Sequence, residues 1–157
     1  IRQPLTVDRR SGANGMSGDE TTIVAGEDAA PLIILVVEDE VLVRMLACDI
    51  LMEGGHHAIE AVDAQEALIL LEARPDIAVM FTDVDMPGEI NGLGLARLAA
   101  LRSPQLPIIV TTGAAAVAPG DLPSSARFLA KPYSPSVLLA MIQEVTTTGE
   151  ALRAVEE

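Results

Sequence analysis

Short apolar runs alternate with longer stretches of helical character along the chain after Pro31. The runs are too short for core helices and are closed by polar or turn residues, so they predict buried strands. Between them, apolar residues recur at the spacing of one helix face. The predicted strands cover residues 32–37, 57–62, 77–83, 108–112 and 127–130, and the predicted helices cover residues 41–52, 64–73, 93–101 and 135–145. The first helix carries few charges, and we expect it to be mostly covered.

The segment at residues 113–126 departs from this alternation. It contains Pro119, Gly120 and Pro123, so any helix within it is expected to be short or broken. Elsewhere strands and helices alternate, which predicts a parallel sheet wrapped by helices on both faces. The predicted fold is therefore α/β: a doubly wound, three-layer domain with five parallel strands and a short or irregular fourth helix.

Length and composition are sufficient for one folded domain. The chain has 157 residues, of which 50% are hydrophobic, so a core of ordinary size can be buried. Residues 1–30 are rich in Gly, Ser, Thr, Asp and Arg without apolar periodicity, and they predict a flexible N-terminal tail. We expect the domain to cover residues 31–146 and a C-terminal tail to cover residues 147–157.

Charge and cysteine content exclude several classes of partner. The net charge of −13 argues against a nucleic-acid surface, which needs clustered basic residues. The single cysteine, Cys48, provides neither a disulfide framework nor a cysteine metal site. The apolar run at residues 32–37 is far shorter than the ~20 residues that span a bilayer. We expect a cytoplasmic protein without nucleic-acid or membrane partners.

Polar residues follow four of the predicted strands. Glu38 and Asp39 follow the first strand, whereas Asp83, Thr112 and Lys131 end or follow the third, fourth and fifth. Lys131 is the only lysine of the chain. Because the carboxyl ends of parallel strands meet at one edge of a sheet, we expect these side chains to converge on one cleft.

The convergence predicts a metal-dependent phosphoryl site. Three neighbouring carboxylates without His or Cys favour a hard cation, Mg²⁺ or Mn²⁺. The metal, the ammonium of Lys131 and the hydroxyl of Thr112 could together neutralise phosphoryl oxygens. Asp83 would then be the nucleophile that forms an acyl phosphate.

These motifs resemble the receiver domain of two-component response regulators over about residues 32–145. The shared motifs are Val-Val-Glu38-Asp39, Thr82-Asp83-Val-Asp-Met-Pro-Gly88 with Asn91-Gly92, Ile-Ile-Val-Thr-Thr112-Gly, and Lys131-Pro132-Tyr133. The resemblance implies a flavodoxin-like receiver fold. It is strongest to receivers that consist of a single domain.

The resemblance also implies the role of each site residue. Asp83 would be the phosphoacceptor, and Thr112 would act with Lys131 to read out the modification. Phe128 would occupy the aromatic switch position. The residues implied to hold Mg²⁺ are Glu38, Asp39, Asp83 and, through its backbone carbonyl, Asp85.

The implied function is signalling rather than enzymatic turnover, apart from self-dephosphorylation. The resemblance implies a sensor histidine kinase or a histidine phosphotransfer protein as donor and an unidentified protein as downstream partner. It leaves a homodimer open. Two departures stand out: the proline-rich segment after Thr112 puts the usual output and dimerisation face in question, and Asp85 adds an acid that should alter attack by water on the acyl phosphate, in a direction that the sequence does not fix.

Two other functions are compatible with parts of the sequence. Asp83 and Asp85 also resemble the nucleophile and acid-base pair of haloacid-dehalogenase-like phosphatases. Pro87 stands where those enzymes usually carry Thr or Val, and the other acids of the chain's site lie upstream, which disfavours that assignment. The other alternative is a degenerate receiver that only binds a partner, and the presence of all five site residues argues against it.

Overall fold

The computed structural model describes residues 30–113 and 117–156. Within these residues five parallel strands form one sheet in the order β2-β1-β3-β4-β5; three α-helices and one 3-10 turn lie in the connections between strands, and a fourth α-helix follows the last strand. The strands are β1 (Ile33–Val37), β2 (His57–Ala61), β3 (Val79–Asp83), β4 (Ile108–Thr112) and β5 (Ala126–Ala130). The helices are α1 (Val41–Glu53), α2 (Ala64–Ala73), α3 (Gly92–Arg102) and α4 (Pro135–Glu156), and the 3-10 turn is Pro119–Asp121. The N-terminal tail predicted for residues 1–30 lies almost entirely outside the described residues.

Helices cover both faces of the sheet, which confirms the doubly wound, three-layer prediction. Strand residues alternate between two hydrophobic clusters because neighbouring side chains of a strand point to opposite faces. One cluster joins Leu35, Met80 and Val110 to α2 and α3. The other joins Phe81 and Ile109 to α1 and α4.

Local chemistry fixes where the connections begin. The Asp63 side chain caps α2 by accepting a hydrogen bond from the Glu66 amide, and the Asn91 side chain caps α3 through the Gly94 amide. Gly92 packs directly against the end of β3, because a Cβ at this position would overlap the carbonyl oxygen of Asp83. The start of α3 is therefore locked to the strand that carries the predicted phosphoacceptor.

The connection between β4 and β5 has little helix, as predicted. Its described residues contain one 3-10 turn and no α-helix. The carboxylate of Asp121 accepts a hydrogen bond from the amide of Ala118, and Arg97 of α3 donates to the carbonyl oxygen of Asp121. Val117 and Leu122 pack against the core. The described residues of the β4–β5 connection (113 and 117–125) are thus held by a few contacts instead of a packed helix.

Two sequence-based expectations are wrong. Helix α4 does not end near Val145 but continues to Glu156, so residues 147–156, expected as a C-terminal tail, are helical. No proline interrupts this segment, and hydroxyls of threonines 146–148 bond to carbonyls one turn earlier without breaking the helix. Helix α1 is not mostly covered: Leu42 is 79% exposed and Leu46 is 60% exposed. Its low charge therefore reflects an exposed apolar face.

Candidate functional site

The carboxylates of Glu38, Asp39 and Asp83 form a cluster at the carboxyl end of the sheet. Glu38 directly follows β1, and Asp83 is the last residue of the adjacent β3. One carboxylate oxygen from each residue lies within 4.8 Å of the others. Glu38 and Asp83 are only 5% and 6% exposed. The sheet therefore gathers three oxygen donors of the kind that hard divalent cations prefer.

Burial dominates the electrostatics of this acidic cluster. Desolvation raises the pKa of Asp83, and the neighbouring Lys131 ammonium only partly opposes it. Desolvation likewise raises the pKa of Glu38, although the Glu40 amide donates a hydrogen bond to its carboxylate. Ionisation of these two carboxyls is thus less favourable in the folded protein without a metal ion than it is in water. A positive charge nearby would relieve that cost.

Lys131 provides one such positive charge. Its Nζ atom lies 3.3 Å from Oδ1 of Asp83 and 3.5 Å from Oε2 of Glu38. Desolvation lowers the pKa of Lys131, but the attraction of Asp83 and Glu38 outweighs it, so the pKa is raised. The lysine is therefore held as a cation between two carboxylates.

Tyr133, two residues after Lys131, packs edge-on against the Phe81 ring, with the ring centroids 5.8 Å apart.

The Thr112 hydroxyl binds an acid that does not belong to the carboxylate cluster. Its Oγ1 atom donates a hydrogen bond to Oδ2 of Asp85 at 2.9 Å. Phe128 lies beside Val110 on β5 and is partly buried, on the same face of the sheet as Thr112. The structure thus brings together Glu38, Asp39, Asp83 and Lys131, whereas Thr112 pairs with Asp85 and Phe128 lies deeper along β5.

Sequence reasoning passed over Arg44. From α1, its Nη1 atom donates to the backbone carbonyl of Glu38 at 2.8 Å, and its Nε atom pairs with Glu60 of β2 at 3.0 Å. The side chain is only 12% exposed. Arg44 therefore fixes the backbone that presents the acidic pair. Its position as the sole base in α1 was the available signal.

Thr111 was also passed over as a site residue. It is the register partner of Asp83, and its hydroxyl is buried without a hydrogen-bond partner among the described residues. It lines a cavity of about 10 Å³ together with Asp83, Lys131 and Tyr133. No feature of the sequence separates this threonine from an ordinary strand residue.

The site geometry agrees with comparisons to known proteins. The response regulator receiver domain family matches residues 34–143. The chain belongs to this family. This receiver is 33% identical over 129 residues to a chemotaxis protein CheY homolog of Campylobacter jejuni, covering 78% of this chain and 98% of that protein. It is 34% identical over 112 residues to response regulator protein FleR of Pseudomonas aeruginosa, covering 69% of this chain but only 23% of FleR.

Solved structures show the same fold. The receiver domain of the hybrid histidine kinase CckA superposes with a TM-score of 0.63 at 31% identity, covering 73% of this chain and 98% of that domain. NtrX from Brucella abortus superposes with a TM-score of 0.73 at 29% identity, covering 81% of this receiver and 29% of NtrX. The predicted flavodoxin-like receiver fold is therefore confirmed.

Family membership confirms several functional predictions. Receivers are signalling modules of two-component systems that interact with histidine kinases or phosphotransfer proteins, so the prediction that the chain is not an enzyme is correct. The phosphatase alternative is not favoured. Within the described parts of the chain, no helix has both the length and the apolar character needed to cross a bilayer.

Proposed function

We propose that this receiver is a stand-alone response regulator that accepts a phosphoryl group on Asp83. The donor is a sensor histidine kinase or a histidine phosphotransfer protein, and the signal passes on by docking to a downstream protein. Single-domain organisation is supported by the CheY homolog, of which this chain covers 98%. A homodimer remains a prediction that the molecular mass in solution would test.

One observation carries the proposal. The Asp83 carboxylate is buried at the end of a central strand with an ammonium group 3.3 Å away and two further carboxylates within 4.8 Å. A buried acid surrounded in this way is costly for stability alone, and it suits a nucleophile that must attack an anionic phosphoryl group. Lys131 would neutralise a phosphoryl oxygen after transfer.

The transfer is a displacement at phosphorus. An Asp83 carboxylate oxygen forms the new P–O bond, and the P–N bond to the donor histidine breaks. The imidazole leaves with the bonding electron pair, having been protonated beforehand on its other nitrogen. Asp83 is then an acyl phosphate, which water later hydrolyses back to the carboxylate.

The acidic cluster fits Mg²⁺, with Mn²⁺ as the alternative. Three carboxylate oxygens that lie within 4.8 Å of one another are the hard donor set that a divalent cation site of this type requires. Glu38, Asp39 and Asp83 would hold the ion through carboxylates, and Asp85 through its backbone carbonyl. When bound, the ion supplies positive charge against the phosphoryl oxygens.

Thr112 and Phe128 form the proposed switch. Phosphorylation would draw the Thr112 hydroxyl toward the new phosphoryl oxygens. The partly buried ring of Phe128 lies on the same face of the sheet and would respond to that movement. A surface that changes in this way needs only a few kcal/mol of differential interaction to shift between two states.

The exposed face of α1 is the proposed docking surface for the phosphoryl donor. Leu42, Met45 and Leu46 are all more than half exposed, and they lie in the first two turns of the helix that follows the acidic pair. We expect Leu42→Asp to slow transfer from a phosphotransfer protein by roughly tenfold or more, as loss of an interface anchor does. Transfer from acetyl phosphate should be unchanged. Leu101→Asp is the matched control because Leu101 on α3 is equally exposed.

Intact mass after incubation with acetyl phosphate and Mg²⁺ tests the phosphoacceptor assignment. We expect a gain of one phosphoryl group that is absent in Asp83→Asn and in the presence of EDTA. Asp76→Asn, at an exposed position remote from the acidic cluster, is the control for removing an aspartate. A gain that persists in Asp83→Asn would assign the modification to another residue.

We also propose a cytoplasmic location. Cys48 is a buried thiol outside any disulfide, which suits a reducing compartment. Fractionation of the native host cell, with detection of the protein in the soluble cytoplasmic fraction, is the direct test.

A further inference from the structure

The hydrogen bond between Thr112 and Asp85 joins the proposed switch hydroxyl to an acid outside the carboxylate cluster. Thr112 is buried at the end of β4, and Asp85 is exposed in the loop after β3. Their oxygen atoms are 2.9 Å apart, a good distance for a hydroxyl that donates to a carboxylate. The contact therefore joins the end of β4 to the loop after β3.

The Asp85 charge also acts on the phosphoacceptor. Burial is the main cause of the raised pKa of Asp83, and repulsion from Asp85 adds to it. Asp85 thus lies near both the residue that would receive the phosphoryl group and the hydroxyl that would respond to it. A single carboxylate can influence both steps.

A threonine hydroxyl has one proton and can donate it to one acceptor at a time. In the proposed switch, Thr112 donates that proton to a phosphoryl oxygen on Asp83. The same proton is used by Asp85 in the structure. The two hydrogen bonds are therefore mutually exclusive.

We propose that Asp85 is a latch on the switch, because its carboxylate holds the Thr112 hydroxyl until phosphorylation of Asp83 competes for it. This inference rests on the proposed function of Asp83. The free energy that moves Thr112 on phosphorylation is only the difference between two hydrogen bonds, the one to the phosphoryl oxygen and the one to Asp85. Asp85 therefore weakens the response to phosphorylation and sets how far the switch moves.

Simple charge repulsion gives a competing explanation for any effect of Asp85. A negative side chain near the site would disfavour a phosphoryl group without involving Thr112. The two explanations differ in one respect. The latch acts through the Thr112 hydroxyl and vanishes when that hydroxyl is removed, whereas repulsion persists.

A double-mutant cycle separates the two explanations. The ligand is beryllium fluoride with Mg²⁺, which mimics the phosphoryl group without a covalent bond, and fluorine NMR measures its binding. We expect Asp85→Ala to tighten binding by roughly five- to tenfold, the net size of one ordinary intramolecular hydrogen bond, since the Asp85 carboxylate is exposed. In a Thr112→Val background, the same substitution should change binding by less than about twofold, because Asp85 then has no hydroxyl to hold.

Two further variants make the test specific. In a Thr112→Ser background, which restores a hydroxyl, Asp85→Ala should again tighten binding. Glu89→Ala removes an exposed acid from the same loop and should leave the affinity unchanged. Asp83→Asn examines the proposed function separately, since it should abolish binding in every background.

Three outcomes would overturn the latch. Asp85→Ala could leave the affinity unchanged, could weaken it, or could tighten it equally in the Thr112→Val background. In each case the parent chain would still bind beryllium fluoride in a manner that depends on Asp83, so the proposed function would stand. Binding that is unaffected by Asp83→Asn would instead remove the proposed function and the latch together.

Discussion

The two sides of the cleft are built differently. The acceptor side consists of the ends of β1 and β3 with Glu38, Asp39 and Asp83. Its two central carboxylates are almost fully buried, Arg44 binds the Glu38 carbonyl, and Gly92 packs against the Asp83 backbone. Every one of these contacts involves backbone or buried atoms. The acceptor side is therefore fixed before any ligand arrives.

The readout side consists of Thr112 and the β4–β5 connection. Among its described contacts are side-chain hydrogen bonds that reach the surface: Thr112 donates to the exposed Asp85, and the exposed Arg97 donates to Asp121. Exposed polar contacts of this kind contribute little to stability and are easily exchanged. This difference between the two sides suits a signalling protein, because phosphoryl transfer needs fixed geometry and readout needs two accessible conformations.

The largest effect on stability is expected from Gly92→Ala, which changes the backbone packing of the acceptor side. The added methyl would overlap the Asp83 carbonyl and press on the Cα of Val84, and neither backbone atom can move alone. We expect a loss of about 2–3 kcal/mol in the free energy of unfolding, as for other overpacked positions, measured by urea denaturation. Phosphoryl acceptance from acetyl phosphate should fall with it.

Gly120→Ala is the matched control on the readout side. No atom lies within 4 Å of a Cβ at Gly120, so this substitution should change stability by less than about 0.5 kcal/mol. If Gly92→Ala were as stable as the parent, the acceptor side would be more adaptable than its packing indicates, and the contrast between the two sides would weaken.

A smaller, pH-dependent effect is expected from Asp83→Asn. Burial raises the pKa of Asp83, so the folded protein holds this proton more tightly than the unfolded chain does. The resulting stabilisation is present below the usual aspartate range and is lost as pH rises through the raised pKa. At pH 7 without divalent cations, Asp83 is thus a destabilising charge, and Asp83→Asn should raise Tm.

The gain in Tm should shrink as pH falls, and scanning calorimetry at pH 7 and pH 4 in EDTA would measure it. Asp76→Asn gives the opposite control, because the hydrogen bond from Arg74 lowers the pKa of Asp76. Removing that carboxylate should not stabilise the protein at pH 7. A lower Tm for Asp83→Asn at pH 7 would show that Lys131 compensates fully for the burial of the acid.

The arrangement of the acceptor side could be predicted from the sequence. Apolar runs that end in acids at Glu38 and Asp83 predict buried parallel strands, and parallel strands must present their carboxyl ends at one edge. The convergence of the carboxylates with Lys131 follows from that topology alone. Strand ends differ by at most two residues from the predicted ones, as at Val79, where pairing begins after the buried Ile77.

The readout side and the helix surfaces could not be predicted in the same detail. The partner of the Thr112 hydroxyl depends on a side-chain rotamer and on the path of the loop that carries Asp85, and neither follows from periodicity. The exposed face of α1 has the composition of a buried helix, so hydrophobicity alone misassigned it. The extension of α4 past Val145 was missed because the threonines suggested a fraying end.

The smallest global effect is expected from Arg97→Gln, which loosens the readout side alone. Arg97 donates to the Asp121 carbonyl at 3.2 Å, and its guanidinium is 3.9 Å from the Asp121 carboxylate. Both side chains are about half exposed, so the loss of unfolding free energy should be about 0.5 kcal/mol or less. Hydrogen exchange of the described amides at residues 117–125 should nevertheless accelerate, because this contact ties the β4–β5 connection to α3.

Arg127→Gln is the matched control for that measurement. Arg127 pairs with Glu144 of α4 in an equally exposed ion pair that does not involve the β4–β5 connection. It should leave exchange at residues 117–125 unchanged. If both variants left exchange there unchanged, Val117 and Leu122 would hold the connection by packing alone, and the readout side would be fixed in the same way as the acceptor side. Faster exchange in Arg97→Gln alone would identify the polar contact as the restraint that a phosphoryl signal has to overcome.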